Sequence, residues 1–585
     1  MEGLAETSSK SLHIAIGSIE RRRRSPDSTT RVDYLPRRRS GGLATRGAGA
    51  AAARPNDWIS PCGFAKREPR GGIPQGFERN GLRRLPEPRN YMETNMSEVP
   101  TDGETFDVLV IGSGIAGLSA ACAAADRGAR VAVLERTSPE EFGGNTRWTE
   151  SYLRMKSEHE VSDDFEELLV ANAGHHIDPN VIAEASQPYD QWSGYVKAHG
   201  MPDPELVSTL SAGAGPTVQW LKGYGIRFDA LPTYFVTAAA PRLMPVGGGL
   251  AMIEALQSHA RQHGVSLYFH ATALSLSRRD ADGWLNAGVA AGDKAGEALT
   301  VRARAVVIAS GGFEGNPEMM ARYIGPTARY LRPVARGGYY NRGEGIRMAL
   351  ALGAAPAGDF SSFHAEPLDP RSPAPEALVM NFPYGILVNR KGHRFTDEAP
   401  GPVDVNYDHI SRAIKDEPDG IAWVVFDQSI HDVPNWKKSI RTDQPHIQSD
   451  SIAGLAAACG ISLEGLEKTV LAYNAACTAG EFSALRPDGL STRGIDPVKS
   501  NWARPIDRGP YMSYPIMAGI CFTYGGIKTN RDAQVVDADG RPVPGLYAAG
   551  EATGLYYQVY TGATSVLRGA VFGKIAGENA AALPR

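Results

Sequence analysis

The residues best suited to bind a charged ligand stand near position 112, where glycines recur at a fixed spacing. Gly112-Ser113-Gly114-Ile115-Ala116-Gly117 is a GxGxxG pattern that follows an apolar run and opens an Ala-rich stretch. In this context the first glycine makes a tight turn, the second lets the backbone approach a pyrophosphate, and the third lets a helix pack closely on a strand. Glu135 follows 23 positions after Gly112, where a carboxylate can accept hydrogen bonds from ribose hydroxyls. The alternative interpretation is a glycine-rich helix cap beside a surface glutamate.

Two further segments decide between the dinucleotides that share this fingerprint. Small and amide side chains follow directly in residues 141–146, where a bulky cofactor can lie against the backbone. Residues 545–554 are predicted to form a strand that enters a Gly/Glu turn, and Ser565 opens the last helix, whose free amide groups can face the pyrimidine edge of a flavin. Two such segments more than 400 residues apart predict one long cofactor, FAD, that contacts both ends of the chain. The predicted cofactor contacts are Gly112, Gly114, Ile115, Ala116, Gly117, Glu135, Arg136, Gly143, Gly144, Asn145, Thr146, Ala273, Ser310, Gly311, Gly525, Gly550, Glu551, Ser565 and Val566.

Apolar runs and glycines predict the elements that must position these residues. Strands are predicted at residues 106–111, 131–134, 265–269 and 301–308, and helices at 112–128, at 250–263 and from 565 onward. The strand at 106–111, the helix at 112–128 and the strand at 131–134 make a strand–helix–strand unit. The sequence therefore predicts an α/β fold with a Rossmann-like FAD-binding domain.

Composition limits the other function classes. The chain of 585 residues is long enough for two or more packing units, and its 42% apolar and 22% charged residues are typical of globular proteins. The net charge is −4, but residues 1–100 carry +7, with 18 Lys and Arg against 11 Asp and Glu. The remainder is therefore mildly acidic, which argues against nucleic acid as a main partner.

Residues 1–100 hold arginine clusters, Pro and Gly without any helical or strand period, and we predict a disordered basic extension there. A wrongly assigned start, with Met96 as the natural beginning, is compatible with this prediction. Two alternatives stay open, a targeting peptide, against which Glu2, Glu6 and Glu20 count, and a basic nucleic-acid arm.

The five cysteines are scattered, without a CxxC or CxxCH pair, which predicts neither an iron–sulfur cluster, a zinc site, a c-type haem nor a disulfide framework. We find no His, Cys and Asp spacing typical of metal ligands and predict no metal. A reduced, cytoplasmic compartment fits this cysteine usage. No apolar run reaches the roughly 18–20 residues that cross a bilayer, so we expect a soluble protein. Since there is no haem or cluster, electrons must leave to a separate acceptor.

From Phe106 onward the chain resembles the flavoprotein subunits of fumarate reductase and succinate dehydrogenase. Within that superfamily it is most similar to the FAD-dependent tricarballylate dehydrogenase branch. The segments that carry the resemblance are residues 112–117, 143–147, 310–313, 343–345, 387–398, 523–526, 550–554 and 571–573. The resemblance implies a flavin domain in two pieces, residues 101–362 and 512–585, with an inserted α+β capping domain at 363–511. Substrate then lies between the cap and the flavin, and closing the cap excludes water.

Departures from the fumarate reductases fall at the reacting groups. Where they read Thr-Arg-Asp, with Arg as proton donor, this chain reads Asn406-Tyr407-Asp408. Their substrate-binding His is Phe522 here, and their late Arg is replaced around Tyr560. We therefore do not expect fumarate reduction. No His precedes Gly143 at the position that tethers FAD in the respiratory enzymes, so the resemblance implies non-covalent FAD.

Matches to the tricarballylate branch are residues 363–365, 382–385 and 406–407, and the flavin-dependent 3-ketosteroid dehydrogenases similarly place tyrosines near Tyr407 and Tyr560. Tyr407 is our first candidate for the base or proton relay, and it needs a cationic neighbour because a free Tyr has a pKa of about 10. Tyr560 is the second candidate, and His364 is expected to orient a substrate carboxylate or carbonyl. Arg568 can clamp an anionic group. The alternatives are aromatic packing for the tyrosines, an ordinary core or surface histidine, and an exposed arginine at a helix end.

Arg394 and Glu398 are predicted to form an internal ion pair of the cap. The function that these residues favour is an FAD-dependent dehydrogenase that oxidises a C–C bond of a small polycarboxylate such as tricarballylate, or a related activated carbonyl compound. Two alternatives stay open, a 3-ketosteroid dehydrogenase-like enzyme and a flavin-binding redox sensor or interaction protein without turnover. Arginines lining the pocket favour the acid, and an apolar tunnel favours the steroid-like compound.

Overall fold

A computed structural model describes residues 99–584, apart from 174–178, 231, 238 and 293–297. Except for Val99 and Pro100, the predicted N-terminal extension lies outside the described residues. The strands are β1 (Thr105–Ile111), β2 (Val131–Leu134), β3 (Phe228–Asp229), β4 (Met244–Pro245), β5 (Ser266–Tyr268), β6 (Ala271–Leu276), β7 (Leu285–Ala291), β8 (Ala298–Ile308), β9 (Arg332–Pro333), β10 (Pro356–Ala357), β11 (Phe363–Leu368), β12 (Ile386–Asn389), β13 (Ile421–Phe426), β14 (Ile447–Ser449), β15 (Tyr511–Thr523), β16 (Gly526–Ile527), β17 (Gln534–Val536) and β18 (Pro542–Ala548).

The helices follow the same chain order. They are α1 (Ile115–Ala125), α2 (Phe165–Ala171), α3 (Pro179–Ala185), α4 (Gly194–Ala198), α5 (Pro204–Gly223), α6 (Gly248–Gln262), α7 (Pro317–Tyr323), α8 (Glu344–Ala351), α9 (Val403–Ile414), α10 (Ile452–Cys459), α11 (Leu463–Ala476) and α12 (Ser565–Ala581). Short 3₁₀ segments include Gly144–Trp148 and Gly550–Ala552, both at predicted cofactor segments. No helix among the described residues is both long and apolar enough to span a membrane.

The first sheet has the order β17-β18-β8-β1-β2-β5, and β7 and β6 continue from the first half of β8. Strands β18, β8, β1, β2 and β5 run parallel, and their buried apolar runs are typical of parallel strands covered on both faces. Because the carboxyl ends of parallel strands share one edge, Gly112, Glu135, Ala309 and Ala549 emerge side by side. Residues more than 400 positions apart in sequence thus meet at one sheet edge.

Helix α1 is Ala-rich, buried along its whole length and packed against α12. A Cβ at Gly573 or Gly577 of α12 would collide with the carbonyl oxygen of Ala116 or Ala120. The two glycines therefore permit the close approach that fixes the C-terminal helix on the helix of the GxGxxG segment.

The second sheet has the order β11-β15-β13-β12, with β14 and β9 also paired to β15. The predicted cap, 363–511, supplies β11 to β14 and α9 to α11. Its central strand, β15, however runs without a break from Tyr511 to Thr523. Residues 512–523, which we expected to begin the second FAD segment, therefore form the middle of the cap's sheet, and the extent of the cap stays a prediction.

Most predicted elements are present with shifted ends. β2 has its predicted bounds, while β8 begins three residues earlier than predicted and α6 two residues earlier. α1 begins at Ile115 rather than Gly112, because Gly112 has a φ of 104° and Gly114 caps the helix.

Candidate active site

An open cavity lies at the carboxyl edge of the first sheet and extends to the second sheet. Its wall includes Gly112 from the end of β1, Glu135 from the end of β2, and Glu551 from the turn after β18. The cavity therefore connects the predicted dinucleotide segments at the first sheet with side chains of the second sheet.

The three glycines of the GxGxxG segment lack a side chain for different physical reasons. A Cβ at Gly112 would collide with the carbonyl of Ala309, and one at Gly117 would collide with the carbonyl of Gly112, so the fold itself requires both. A Cβ at Gly114 would meet only ordinary contacts, at 3.8 Å from Gly143 O and Thr146 Oγ1. Gly114 borders the cavity, so the absence of a side chain there leaves space for a bound group and is not required by packing within the protein. Gly117 does not border the cavity.

Glu135 lies at the end of β2 on the cavity wall, and its role in binding a ribose stays a prediction. Its buried carboxylate accepts hydrogen bonds from the Ser113 backbone and hydroxyl and from Thr137 N (2.8 Å) and Oγ1 (2.9 Å). Arg136 also borders the cavity, with its guanidinium donating to Tyr340 O (2.9 Å) and to Glu344 (2.8 Å).

The remaining predicted cofactor residues divide into two groups. Those that border the cavity are Ile115, Ala116, Gly144, Asn145, Thr146, Ala273, Ser310, Gly311, Gly550, Glu551, Ser565 and Val566. Gly143 and Gly525 do not border it. Gly143 stands behind the wall, where a Cβ would press on Ile253, and Gly525 packs so closely on Phe360 that a side chain would collide with the ring. The sequence pattern placed both in glycine-rich turns, but their glycines are required by packing.

Buried polar atoms on the cavity wall lack partners within the described part of the chain. They are Ser151 Oγ, Arg242 Nε, Ser310 Oγ, His364 Nδ1 and Arg568 Nε. Since buried polar groups are normally hydrogen-bonded, these atoms indicate that a bound group completes the wall. Together with the space at Gly114, they show that the residues present fit a dinucleotide that extends to the second sheet.

Arg568 is buried, with 1% of its surface exposed, so the alternative of an exposed arginine at a helix end is wrong. Its Nη1 donates to Thr553 O (3.1 Å), and its guanidinium carbon lies 4.6 Å from the centre of the Tyr556 ring. Nearby, Glu551 accepts a hydrogen bond from Thr523 N (3.0 Å). Burial, and then the neighbouring Glu551, raise the pKa of Glu314 well above its usual value, so this acid pair holds a proton.

Tyr407 and His364 form a hydrogen-bonded pair at the other end of the cavity. The spacing of Asp404, Tyr407 and Asp408 puts all three on the buried face of α9, and Tyr407 Oη lies 2.9 Å from His364 Nε2 of β11. Asp408 accepts from Ala365 N (2.7 Å), which fixes α9 on β11. The structure therefore brings together two residues that the sequence separates by 43 positions.

The ionisation of this pair is set mainly by burial. Burial, and then the charges of Arg412 and Arg242, lower the pKa of His364 to about 3, so its imidazole is neutral. Burial and the nearby Glu366 raise the pKa of Tyr407 well above its usual value, while Arg242 lowers it. The expected cationic neighbour is therefore present, but burial outweighs its effect in the protein without ligands.

Arg242 is the neighbour that sequence reasoning missed. It pairs with Asp404 of α9, its Nε has no hydrogen-bond partner among the described residues, and it borders the cavity. Its guanidinium carbon lies 5.4 Å from the Phe235 ring and 5.6 Å from the Tyr152 ring. No motif surrounds Arg242 in the sequence, and only the contact with α9 reveals it.

Tyr560 borders the cavity beside His364, with ring centres 4.4 Å apart. Its hydroxyl accepts hydrogen bonds from Thr564 N and Ser565 N (both 3.0 Å) and donates to Ser565 Oγ (3.0 Å). Tyr560 thus caps α12. Ser565 N therefore already has a hydrogen-bond partner in Tyr560, and contacts of the other amide groups of this helix with a flavin stay a prediction.

Sequence reasoning also missed side chains in and beside the second sheet. Glu366 of β11, Glu376 of the β11–β12 connection and Cys521 of β15 border the cavity. Burial raises the pKa of Glu366 to about 8 and that of Glu376 to about 7. Cys521 reaches the cavity beside Phe522 because a β-bulge between β11 and β15 leaves it unpaired. An isolated sequence does not indicate a bulge of this kind.

Two clusters of possible metal ligands depart from the expectation that no such spacing exists. His364, Glu366 and Cys521 place ligand atoms within 4.8 Å of one another, and so do Asp126, His259 and His263. Each cluster joins separate strands or helices, so its complete ligand set is not visible along the sequence. Only the spacing of four residues between His259 and His263 is visible there.

The predicted ion pair of the cap is confirmed. Arg394 donates to both carboxylate oxygens of Glu398, at 2.8 and 2.7 Å, and both side chains are buried. Leu387 N also donates to Glu398 (2.9 Å), so the pair fixes the start of β12.

Comparisons with known proteins agree with this site. The sequence profile described as FAD binding domain matches residues 107–567. The chain is 27% identical over 490 residues to the probable fumarate reductase Ifc3 of Shewanella frigidimarina, covering 82% of this chain and 75% of the relative. It is 28% identical over 547 residues to 4-oxocyclohexanecarboxylate 2-dehydrogenase of Sinomonas cyclohexanicum, covering 80% and 91%. The open conformation of a flavocytochrome c3 fumarate reductase superposes with a TM-score of 0.61 at 25% identity, covering 82% and 78%.

Proposed function

This chain belongs to the FAD binding domain family and is an FAD-dependent oxidoreductase of CH–CH groups, and we propose that it desaturates a carbonyl compound at the carbon next to the carbonyl. The observation that carries the proposal is the buried Tyr407–His364 pair beside Arg242. Such a reaction removes a proton from one carbon and a hydride from its neighbour, and bound FAD supplies the hydride acceptor.

The side chains divide the proton chemistry between them. With its proton on Nε2, the neutral His364 donates a hydrogen bond to the phenol oxygen of Tyr407, which stabilises the deprotonated form of Tyr407. Tyr407 in its deprotonated form takes the substrate proton. Arg242 favours that form because its charge lowers the pKa of Tyr407.

The charges at this end of the cavity favour a substrate with few negative charges. Arg242 already pairs with Asp404, and Arg136 pairs with Glu344 at the ribose end. Glu366 and Glu376 add carboxyl groups to the wall. Three buried carboxylates of a tricarballylate would need cations that these pairs do not leave free. Aromatic side chains, among them Tyr152, Tyr234 and Phe522, line the same region and suit a ring.

A small polycarboxylate is the second candidate substrate, and one observation favours it. Arg242 and Arg568 both border the cavity, and each has a buried Nε–H without a partner in the described part of the chain. Each can therefore offer one hydrogen bond to a carboxylate. The same geometry accepts a ketone that carries a single carboxylate, such as the 4-oxocyclohexanecarboxylate in the name of one relative.

Anaerobic bleaching of the enzyme-bound flavin tests the proposal. The FAD-loaded enzyme is mixed with 4-oxocyclohexanecarboxylate, a 3-ketosteroid, tricarballylate and succinate, and the flavin absorbance near 450 nm is followed. We expect a ring ketone to bleach the flavin and the two acids without a ketone to leave it yellow. Bleaching by tricarballylate alone would establish the second candidate. A flavin that dithionite reduces but no organic donor bleaches would favour the binding module without turnover.

A further inference from the structure

A second cluster of chemically active side chains lies away from the cavity, where helices α1 and α6 end. Asp126 is the C-cap residue of α1, His259 lies in the last turn of α6, and His263 is the C-cap residue of α6. Their nitrogen and oxygen ligand atoms lie within 4.8 Å of one another, and His259 Nε2 is 2.7 Å from Asp126 Oδ1. Asp126 and His263 are exposed and His259 is half-buried, so an ion can reach the cluster from solvent.

The surroundings hold these groups in the form that binds a cation. His263 Nδ1 lies 2.9 Å from the carbonyl oxygen of His259, and donating to it puts the proton on Nδ1 and leaves Nε2 as a free lone pair. Metal-binding histidines commonly use the second ring nitrogen in this way. Tyr224 of the α5–β3 connection donates its hydroxyl to Asp126, which orients the carboxylate. The rings of His259 and His263 stack with centres 3.9 Å apart.

Electrostatics at this point also favours a cation. The C-terminal end of a helix carries partial negative charge on its last carbonyl groups, and two helices end here together. Two imidazoles and one carboxylate are a ligand set that Zn²⁺ accepts, with bonds of about 2.0–2.2 Å and a fourth position left to water. Because the ligand atoms lie within 4.8 Å of one another, binding of Zn²⁺ requires side-chain rotations that bring them closer together.

We propose that Asp126, His259 and His263 form a Zn²⁺ site that clamps the C-terminal ends of α1 and α6. These two helices support the dinucleotide end of the cavity. α1 begins at the GxGxxG turn, Cys122 of α1 donates to Leu256 O of α6 (3.3 Å), and Ile253 of α6 packs beneath Gly143. Metal binding therefore stabilises the FAD-binding region from its outer side, and the site goes beyond the proposed function because it needs no substrate.

Calorimetric titration of the FAD-loaded full-length enzyme with ZnCl₂ tests the site. We expect one Zn²⁺ per chain at this site and a melting temperature about 3 °C higher once free Zn²⁺ exceeds Kd by about a hundredfold. His263→Ala and Asp126→Asn should weaken Zn²⁺ binding by at least about tenfold, and Tyr224→Phe by about tenfold through the lost orienting hydrogen bond. His393→Ala, at an exposed histidine far along the chain, is the matched control and should bind as the parent does.

Substitution with Co²⁺ gives a measurement that does not depend on stability. The visible absorption of bound Co²⁺ should appear in the parent and in His393→Ala and be lost in a His259→Ala/His263→Ala double variant. Flavin absorbance and circular dichroism show whether each variant is folded. Unchanged Zn²⁺ affinity and an unchanged Co²⁺ spectrum in the folded double variant, or no Zn²⁺ binding by the parent, would overturn the proposal.

Discussion

The two ends of the cavity are built from different materials. At the dinucleotide end, backbone turns at the ends of β1 and β8 lie so close together that only glycine fits at Gly112. At the other end, which we propose is the catalytic end, the candidate side chains come from β11, α9 and the segment before β4. Tyr407 and His364 are buried there with perturbed ionisation. Close backbone packing therefore determines which residues fit at the dinucleotide end, and buried ionisable groups determine the properties of the other end. We expect mutations at the two ends to have different effects.

The largest expected effect comes from removing one oxygen atom, which should lower the rate without changing FAD binding. Tyr407→Phe removes the phenol oxygen from the catalytic end, so kcat with the accepted substrate should fall by about 10²–10⁴-fold. The amount of bound FAD should not change, because Tyr407 lies at the second sheet and not at the dinucleotide turns. Stopped-flow flavin reduction measures the rate, and absorbance of the purified protein measures the flavin.

Tyr384→Phe is the matched control for this change. Tyr384 is another buried tyrosine of the second-sheet region, with its hydroxyl donating to Ala484 O (2.7 Å), and it does not border the cavity. It should lose stability of about 1 kcal/mol and keep its rate. A Tyr407→Phe enzyme with parental activity would remove Tyr407 from the mechanism.

At the dinucleotide end, substitutions at two glycines of the GxGxxG segment distinguish an effect on folding from an effect on FAD binding. Gly117→Ala forces a Cβ against the Gly112 carbonyl, so the free energy of unfolding should fall by about 2–3 kcal/mol even without FAD. Gly114→Ala meets no tight contact, so the flavin-free protein should keep its stability within about 1 kcal/mol. FAD affinity should nevertheless fall by at least about tenfold. Denaturant unfolding of apoprotein and FAD titration distinguish the two, and equal effects of both variants would contradict the assignment.

Burial of the Glu366 carboxyl group should make the free energy of unfolding depend on pH. The pKa of Glu366 is about 8 in the folded chain against 4.5 for the ordinary side chain, so the folded state keeps a proton that the unfolded state releases. The stability contributed by this proton is fully present below pH 4.5 and is lost as pH rises to about 8. Glu366→Gln should therefore match the parent near pH 4.5 and be more stable at pH 9, by on the order of 2 kcal/mol.

Melting curves at several pH values measure this difference. Glu464→Gln, at an exposed position of α11, is the control and should show no such trend. A Glu366→Gln effect of equal size at every pH would mean that the substitution acts through packing rather than through ionisation.

The same contrast explains what the sequence could predict. The GxGxxG turn and Glu135 belong to one local strand–helix–strand unit, so their spacing predicted a dinucleotide-binding fold, and the segments at 141–146, 545–554 and 565 onward then favoured FAD. Arg242, in contrast, matters only because Asp404 of α9 lies against it, 162 positions later. Cys521 reaches the cavity through a bulge, and the course of β15 through residue 512 follows from pairing with β11 and β13. Contacts between distant segments leave no periodic pattern, which is why these parts required the structure.

The smallest expected effect concerns Arg242, whose charge partly offsets the effect of burial on the pKa of Tyr407. The reaction needs deprotonated Tyr407, burial raises its pKa, and Arg242 lowers it, so the rate should rise with pH toward the alkaline range. Arg242→Met removes the cation, which should move this rising limb to higher pH and lower the rate at pH 8 by about tenfold, the equivalent of one pKa unit. Arg242→Lys keeps the charge and should recover most of the rate. Because Arg242→Met also leaves Asp404 without its partner, the double variant with Asp404→Asn is measured beside it. A pH profile that stays in place in both variants would show that Arg242 binds substrate or supports α9 without tuning Tyr407.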